Sequence, residues 1–228
     1  MKKNATSVLF IGKQDDFYSK AASEFVNLHF SNPIIVFSKR TEPFPSELYE
    51  WNGDLIISYL AQWIIPGAVL QNAKVAAINL HPGPPEYPGI GCTNFAMYNN
   101  EKEFGITCHH MQARVDSGQI IGVRRFPILD NDTVYSVTQR CYSEILHLFY
   151  ELMTAFITNN KFPESTETWK RKPYTRKQLN ALCELTDDLD EKEVLRRVKA
   201  TTYGKKVWAY YIRNEEKIPY SYEGQIEG

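Results

Sequence analysis

AAINLHPGPPEYPGIG, residues 76–91, decides how this chain is read. It opens as a strand and ends as a loop of prolines and glycines. Side chains alternate along a strand, so Asn79 and His81 share one face while Ile78 and Leu80 share the other. An amide and an imidazole therefore stand side by side at a strand end. There Pro82, Gly83, Pro84 and Pro85 force the backbone out of the sheet and stiffen its exit. A carboxylate follows far along the chain, in Arg114-Val115-Asp116-Ser117-Gly118. Amide, imidazole and carboxylate together make a general acid–base set with an oxyanion donor. Taken singly the pieces are common: Asn-x-His often ends a structural strand, and Asp-Ser-Gly is a frequent turn.

Upstream, Ser7–Ile11 and Leu55–Ser58 are short apolar runs of the kind found in buried parallel strands. Between them Phe17, Ala21, Ala22, Phe25, Val26 and Phe30 recur at helical spacing, Pro33 closes that helix, and Ile34–Phe37 reads as a second strand. Strand, helix and strand at this length make one βαβ unit. Its first loop, GKQDD, carries one glycine and two aspartates and makes a poor phosphate cradle. Residues 38–53 read as loop and a short helix. Tyr59–Val69 mixes apolar and aromatic residues around Trp63 and Pro66, the pattern of a core-facing turn.

Downstream, Thr93–Asn99 reads as a helix and Gly105–Met111 as a strand with Thr107 and His109 on one face. Cys108 and His110 on the other face supply at most two ligands, so no metal site is expected. Ile120–Phe126 reads as another strand. Asp132 or Thr133 caps a long helix whose stripe runs Val134, Val137, Cys141, Ile145, Leu148, Leu152 and Phe156. The pattern predicts an α/β, Rossmann-like domain over residues 1–160. After Lys161 the composition turns basic and aromatic. Asp187–Lys199 suits a helix dipole, and Val207–Ile212 with Ile218–Tyr222, split by Asn214–Lys217, reads as a β-hairpin. Residues 161–228 are thus expected to form a small helix-plus-hairpin extension.

The 228 residues allow one sizeable core. A formal net charge of −1 with no long basic run leaves no electrostatic footprint for nucleic acid. Cys92, Cys108, Cys141 and Cys183 form no CxxC pair and read as buried free thiols. Cys92, close in sequence to the Pro-rich loop, lacks a paired base nearby and reads as packing. The N-terminus is too short in apolar residues for a signal peptide, and no stretch approaches a membrane span. A cytoplasmic protein without membrane contact is expected.

Four pieces in order resemble the formyltransferases that use N10-formyltetrahydrofolate. They are Asn79 to Pro82, Pro85 to Gly89 as Pro-x-Tyr-x-Gly, Gly105-x-Thr107-x-His109, and Asp116-x-Gly118-x-Ile120. The likeness is clearest from Leu55 to Phe126. It implies a catalytic set of Asn79, His81 and Asp116, with Asp116 orienting His81. The folate co-substrate is then expected against Trp63, Ile64, Ile65, Ala113 and Arg114, and no metal is needed. The second substrate is expected near Pro85, Tyr87, Gly89, His109, Lys205 and Tyr220.

Among the family's acceptors, the poor phosphate loop disfavours glycinamide ribonucleotide. The short tail, in which acidic residues offset the basic ones, disfavours methionyl-tRNA, whose branch carries a larger basic C-terminal domain. The folate-hydrolysing branch carries an extra N-terminal regulatory domain, which is not expected here. Tyr174-Thr175-Arg176 before a helix, then Arg196, Arg197, Lys199 and Gly204, resembles the tail of sugar-nucleotide N-formyltransferases. That resemblance implies formylation of a nucleotide-linked amino-deoxysugar, such as a dTDP-4-amino-4,6-dideoxyhexose, for surface polysaccharide or lipopolysaccharide. It also implies a homodimer. Pro88 replaces the basic residue usual in the Tyr-Arg-Gly or Tyr-Lys-Gly loop, leaving Lys205, Lys206 or Arg176 to meet a diphosphate. A binding protein that keeps the fold but does no chemistry is the rival from another class.

Overall fold

Residues 3–221 are described by the computed structural model. β1 (Val8–Lys13), β2 (Ile34–Ser38), β3 (Gly53–Tyr59), β4 (Ala73–His81), β5 (Glu103–His110) and β6 (Ile120–Pro127) form one sheet in the order 2-1-3-4-5-6. The first four run parallel, and β5 runs against both β4 and β6. The chain steps outward from β1 to β2 and then returns to β3 on the other side of β1. The carboxyl ends of β1 and β3 are therefore the switch point, where open α/β sheets leave a crevice for ligands.

Alternation along the strands divides the core between two faces. Phe10, Leu55, Ile57, Ile78 and Leu80 pack under α1 (Phe17–His29), α3 (Cys92–Tyr98) and α4 (Val134–Asn159). Leu9, Ile11, Ile56 and Ala77 pack under a 3-10 turn at Ser46–Glu50 and the short α2 (Gly67–Leu70). The stripe expected for α4 is buried throughout, and Phe149 adds edge contacts at 6.4 Å from Phe10 and 5.5 Å from Tyr59. Truncating Phe149 removes about 3–5 kcal/mol of burial and packing. Thr133 is the N-cap of α4, exchanging bonds with Ser136, while Asp132 braces the cap through Leu129 N–H and Arg140. Phe17 departs from the expected stripe: it begins α1 right after the Asp16 cap, short of the core, and is 75% exposed.

The C-terminal segment docks on this core. Phe162, Tyr174, Leu179 and Leu182 are buried in the same cluster as the sheet. α5 (Arg176–Cys183) starts at a Thr175–Gln178 capping box. After β7 (Glu184–Leu185), α6 (Glu191–Ala200) is capped by Asp190, with Glu191 and Glu193 in its first turn and Arg197 and Lys199 in its last. The helix begins four residues later than the sequence indicated, because Asp190, not Asp187, accepts the Glu193 N–H.

The hairpin is shifted as well. Gly204 (φ +59°) folds Thr202–Tyr203 (β8) back on Lys206–Val207 (β9), so Val207 pairs with Thr202 instead of entering the hairpin. The hairpin proper joins β10 (Tyr210–Arg213) to β11 (Glu216–Pro219), with β7 pairing alongside β10. Asn214 and Glu215 both take positive φ, as a two-residue type I′ turn demands. Tyr222 lies outside the described residues. Among those described, no helix is long and apolar enough to cross a membrane.

Candidate active site

The pairing register of β4 and β5 sets Asn79 directly opposite His109 and His81 opposite Thr107. Opposed residues on one face are the closest neighbours a sheet offers. The Asn79 amide Nδ2 accordingly lies 3.2 Å from His109 Nε2. Thr107 donates to the Gly83 carbonyl at 2.8 Å and holds the Pro-rich loop over the strand end.

Asp116 enters between the two rings. One carboxylate oxygen is 3.3 Å from His81 Nδ1, and the other is 3.3 Å from His109 Nε2. The Gly89 N–H donates to the first oxygen at 2.8 Å. His81, His109 and Asp116 are 4%, 2% and 5% exposed. Burial alone would raise the Asp116 carboxyl. Attraction to His81, the bond and charge of His109, and the Gly89 N–H outweigh that and hold it down at about 2. Asp116 is an anion wedged between two imidazoles, with its own backbone in the left-handed region at φ +45°.

The ring nitrogens have defined partners. His81 Nε2 lies 3.1 Å from the Tyr87 carbonyl, so both its nitrogens face acceptors. His109 Nδ1 faces the His110 carbonyl at 2.8 Å and suits an N–H there. Its Nε2 then has two options: accept from Asn79, or carry a proton shared with Asp116. Bonded to a bare Nε2, the Asn79 amide keeps its second N–H for a ligand. Cys92 Sγ lies 3.6 Å from His81 Nε2, so a base does stand nearby, contrary to the reading from sequence. Burial first, and Asp116 second, push that thiol well up, and it stays a packing group.

These groups line a cavity of about 470 Å³ at the carboxyl ends of the strands. One side is apolar and aromatic: Trp63, Ile64, Ile65, Leu70, Met111 and Ala113, with Arg114 at its edge. The Trp63 indole donates to the Lys39 and Glu42 carbonyls, and Ile64 is 80% exposed, so this turn presents apolar surface outward. The other side, toward β1 and β2, holds Lys13, Arg40 and Tyr142. Lys13 Nζ lies 4.9 Å from the Tyr142 ring. Burial raises the Tyr142 phenol to about 12, while Arg40 pulls it the other way. The Arg40 guanidinium makes no ion pair among the described residues.

The cavity thus gathers Asn79, His81, His109, Asp116, Trp63, Ile64, Ile65, Ala113 and Arg114. Pro85, Tyr87, Gly89, Lys205 and Tyr220 do not line it. Tyr87 is buried and gives its hydroxyl to Glu101 at 2.6 Å, because its ring packs inward against Phe104. The sequence reading missed Lys13, Arg40 and Tyr142. The GKQDD loop looked repulsive to anions, yet Asp16 is occupied as the α1 cap and pairs with Lys13 at 3.4 Å. The position of Lys13 at the end of β1 was the available signal.

Comparison with known proteins places the chain among formyltransferases. A methionyl-tRNA formyltransferase from Pediococcus pentosaceus is 29% identical over 96 residues, covering 42% of this chain and 30% of that protein. A GDP-perosamine N-formyltransferase from Brucella melitensis is 34% identical over 99 residues, covering 41% and 38%. The matched stretch thus spans about a third of those relatives' length. Among solved structures, a sugar N-formyltransferase from a Shewanella species superposes with a TM-score of 0.74 at 22% identity, over 94% of this chain and 96% of that one. An N-formyltransferase from Helicobacter canadensis, in complex with folinic acid and dTDP-3-aminofucose, gives 0.68 at 18% identity, over 94% and 86%. The formyl transferase family matches residues 2–151, the span that carries Asn79, His81, His109 and Asp116, and the chain belongs to that family.

Proposed function

We propose that this protein transfers a formyl group from N10-formyltetrahydrofolate to the amine of a nucleotide-linked amino-deoxysugar. The observation that carries this is the cavity itself: amide, two imidazoles and carboxylate between an apolar slot and a basic, aromatic side. The slot of Trp63, Ile64, Ile65 and Met111, with Ala113 and Arg114, suits a flat pterin. Lys13 and Arg40 suit an anionic acceptor, supplying the charge that Pro88 withholds.

Asn79 puts an amide N–H where negative charge develops on the formyl oxygen. The acceptor nitrogen bonds to the formyl carbon as the bond from that carbon to the folate nitrogen breaks. The acceptor gives up one proton and the departing folate nitrogen takes one. His81, Asp116 and His109 form a buried line along which that proton is held, Asp116 staying ionised between the rings. No covalent enzyme intermediate is needed. The intact set argues against a fold that only binds. The Helicobacter canadensis complex with an amino-sugar nucleotide supports the choice of acceptor.

An aminoacyl-tRNA acceptor is the second reading, favoured by the match to methionyl-tRNA formyltransferase. The net charge of −1 weighs against it. The test is incubation with N10-formyltetrahydrofolate and a panel of amino-sugar nucleotides, read by mass spectrometry. The expected result is one formyl added to an acceptor and tetrahydrofolate released only in its presence. Formylation of methionyl-tRNA with none of the sugars changed would reject the proposal.

A further inference from the structure

Residues 163–175 run from the end of α4 to the start of α5, beyond the span that matches the family, and cross the back of the site. Backbone bonds join this strap to the Pro-rich loop: Lys170 N–H to the Pro85 carbonyl at 3.0 Å, Tyr174 N–H to Pro88 at 2.8 Å, and Ile90 N–H to Tyr174 at 3.1 Å. The fit leaves no room at Gly89, where a Cβ would stand 2.3 Å from the Tyr174 carbonyl oxygen. Gly89 is the residue whose N–H holds Asp116.

One side chain of the strap reaches the site. Trp169 donates its indole N–H to the Gly118 carbonyl at 2.8 Å. Gly118 ends the turn that carries Asp116, and that turn is pressed so closely on β5 that a Cβ at 118 would meet the His110 carbonyl. The same indole stands nearly perpendicular to both imidazoles, 5.9 Å from His81 and 5.1 Å from His109 between ring centroids. Both loops that meet at Asp116, and both rings flanking it, are therefore tied to one strap.

We infer that Trp169 is a positioning residue: it fixes the Asp116 turn and the two ring planes in the arrangement that handles the proton. It touches no reacting atom. An indole bonded to the turn and packed on both rings sets their relative position, and displacement of such groups by a fraction of an ångström costs rate, not affinity.

The test combines Trp169→Phe, which keeps a ring and loses the N–H, with Trp169→Ala. The side-chain nitrogens of the five histidines are followed by 15N NMR in the full chain without substrates. In Trp169→Phe the signals of His81 and His109 are expected to move while those of His29 and His147 stay. The kinetic arm, which rests on the formyl-transfer reading, expects kcat to fall about tenfold with both KM values within about twofold. A folded Trp169→Phe protein with unchanged His81 and His109 signals overturns the inference, whatever Trp169→Ala does to folding. An inactive wild-type protein overturns the reaction instead and leaves the NMR result standing.

Discussion

The middle of the cavity and its β1–β2 side are built on opposite plans. In the middle, each polar group is held from several elements: Asp116 by two rings and a backbone N–H, His109 by Asn79 and the His110 carbonyl. On the β1–β2 side, Lys13 leans on a ring and one aspartate, and the Arg40 guanidinium has no carboxylate partner among the described residues. Fixed groups suit a transition state, whose charges appear in known places. A loosely held cation suits ground-state capture of an anion whose far end varies.

The sharpest way to break this contrast is to substitute one residue on each side. Alanine at Asn79, His81 or Asp116 is expected to cut kcat about a hundredfold or more with little change in KM. Near-normal turnover by His81→Ala on the true acceptor removes the assignment. Next, Arg40→Ala and Lys13→Ala are each expected to raise the acceptor KM about tenfold and leave kcat and the folate KM near wild type. A loss of folate affinity instead would move the pterin's glutamate tail to this side.

Stability measurements sharpen the same comparison. The Asp116 carboxyl loses its proton more readily in the folded chain than in the unfolded one. Its stabilisation, about 2 kcal/mol, is complete above roughly pH 4 and lost as pH falls through about 2. Asp116→Asn should flatten the acid limb of a urea-stability profile in that window; an unchanged limb would show that other carboxylates set it. The smallest effect is expected at Tyr59, whose buried hydroxyl has no hydrogen-bond partner among the described residues. Tyr59→Phe should raise stability by about 1 kcal/mol, read as a shift in urea midpoint. A destabilised variant would mean that the hydroxyl is solvated.

The middle of the site was readable because it is written in short-range patterns. Alternation in AINLH and GITCHH fixes which side chains share a face, and a Pro-rich exit fixes where the strand stops. The α4 stripe was equally plain. What stayed hidden depends on long-range meetings. Lys13 ends β1 and Arg40 follows β2, and they become neighbours of Tyr142 only through strand order and the docking of α4. Trp169 lies fifty-one positions from the carbonyl it binds. The shifted hairpin has a local cause, the turn at Gly204, which takes Val207 out of the next strand and which the alternation of apolar residues alone does not reveal.

The strap also bears on how such chains can be recombined. A cut at residue 160 looks like a clean seam, because the proposed catalytic residues Asn79, His81 and Asp116 lie before it and a compositionally different tail lies after. The hydrogen bonds from Trp169, Lys170 and Tyr174 cross that seam into the loops that carry Asp116 and Gly89. A chimera joined there would inherit the proposed catalytic side chains from one parent and the strap bonded to their loops from the other. The exchangeable module therefore extends through Tyr174, and a chimera that keeps the contacts of Asp116 and Gly89 is joined beyond it.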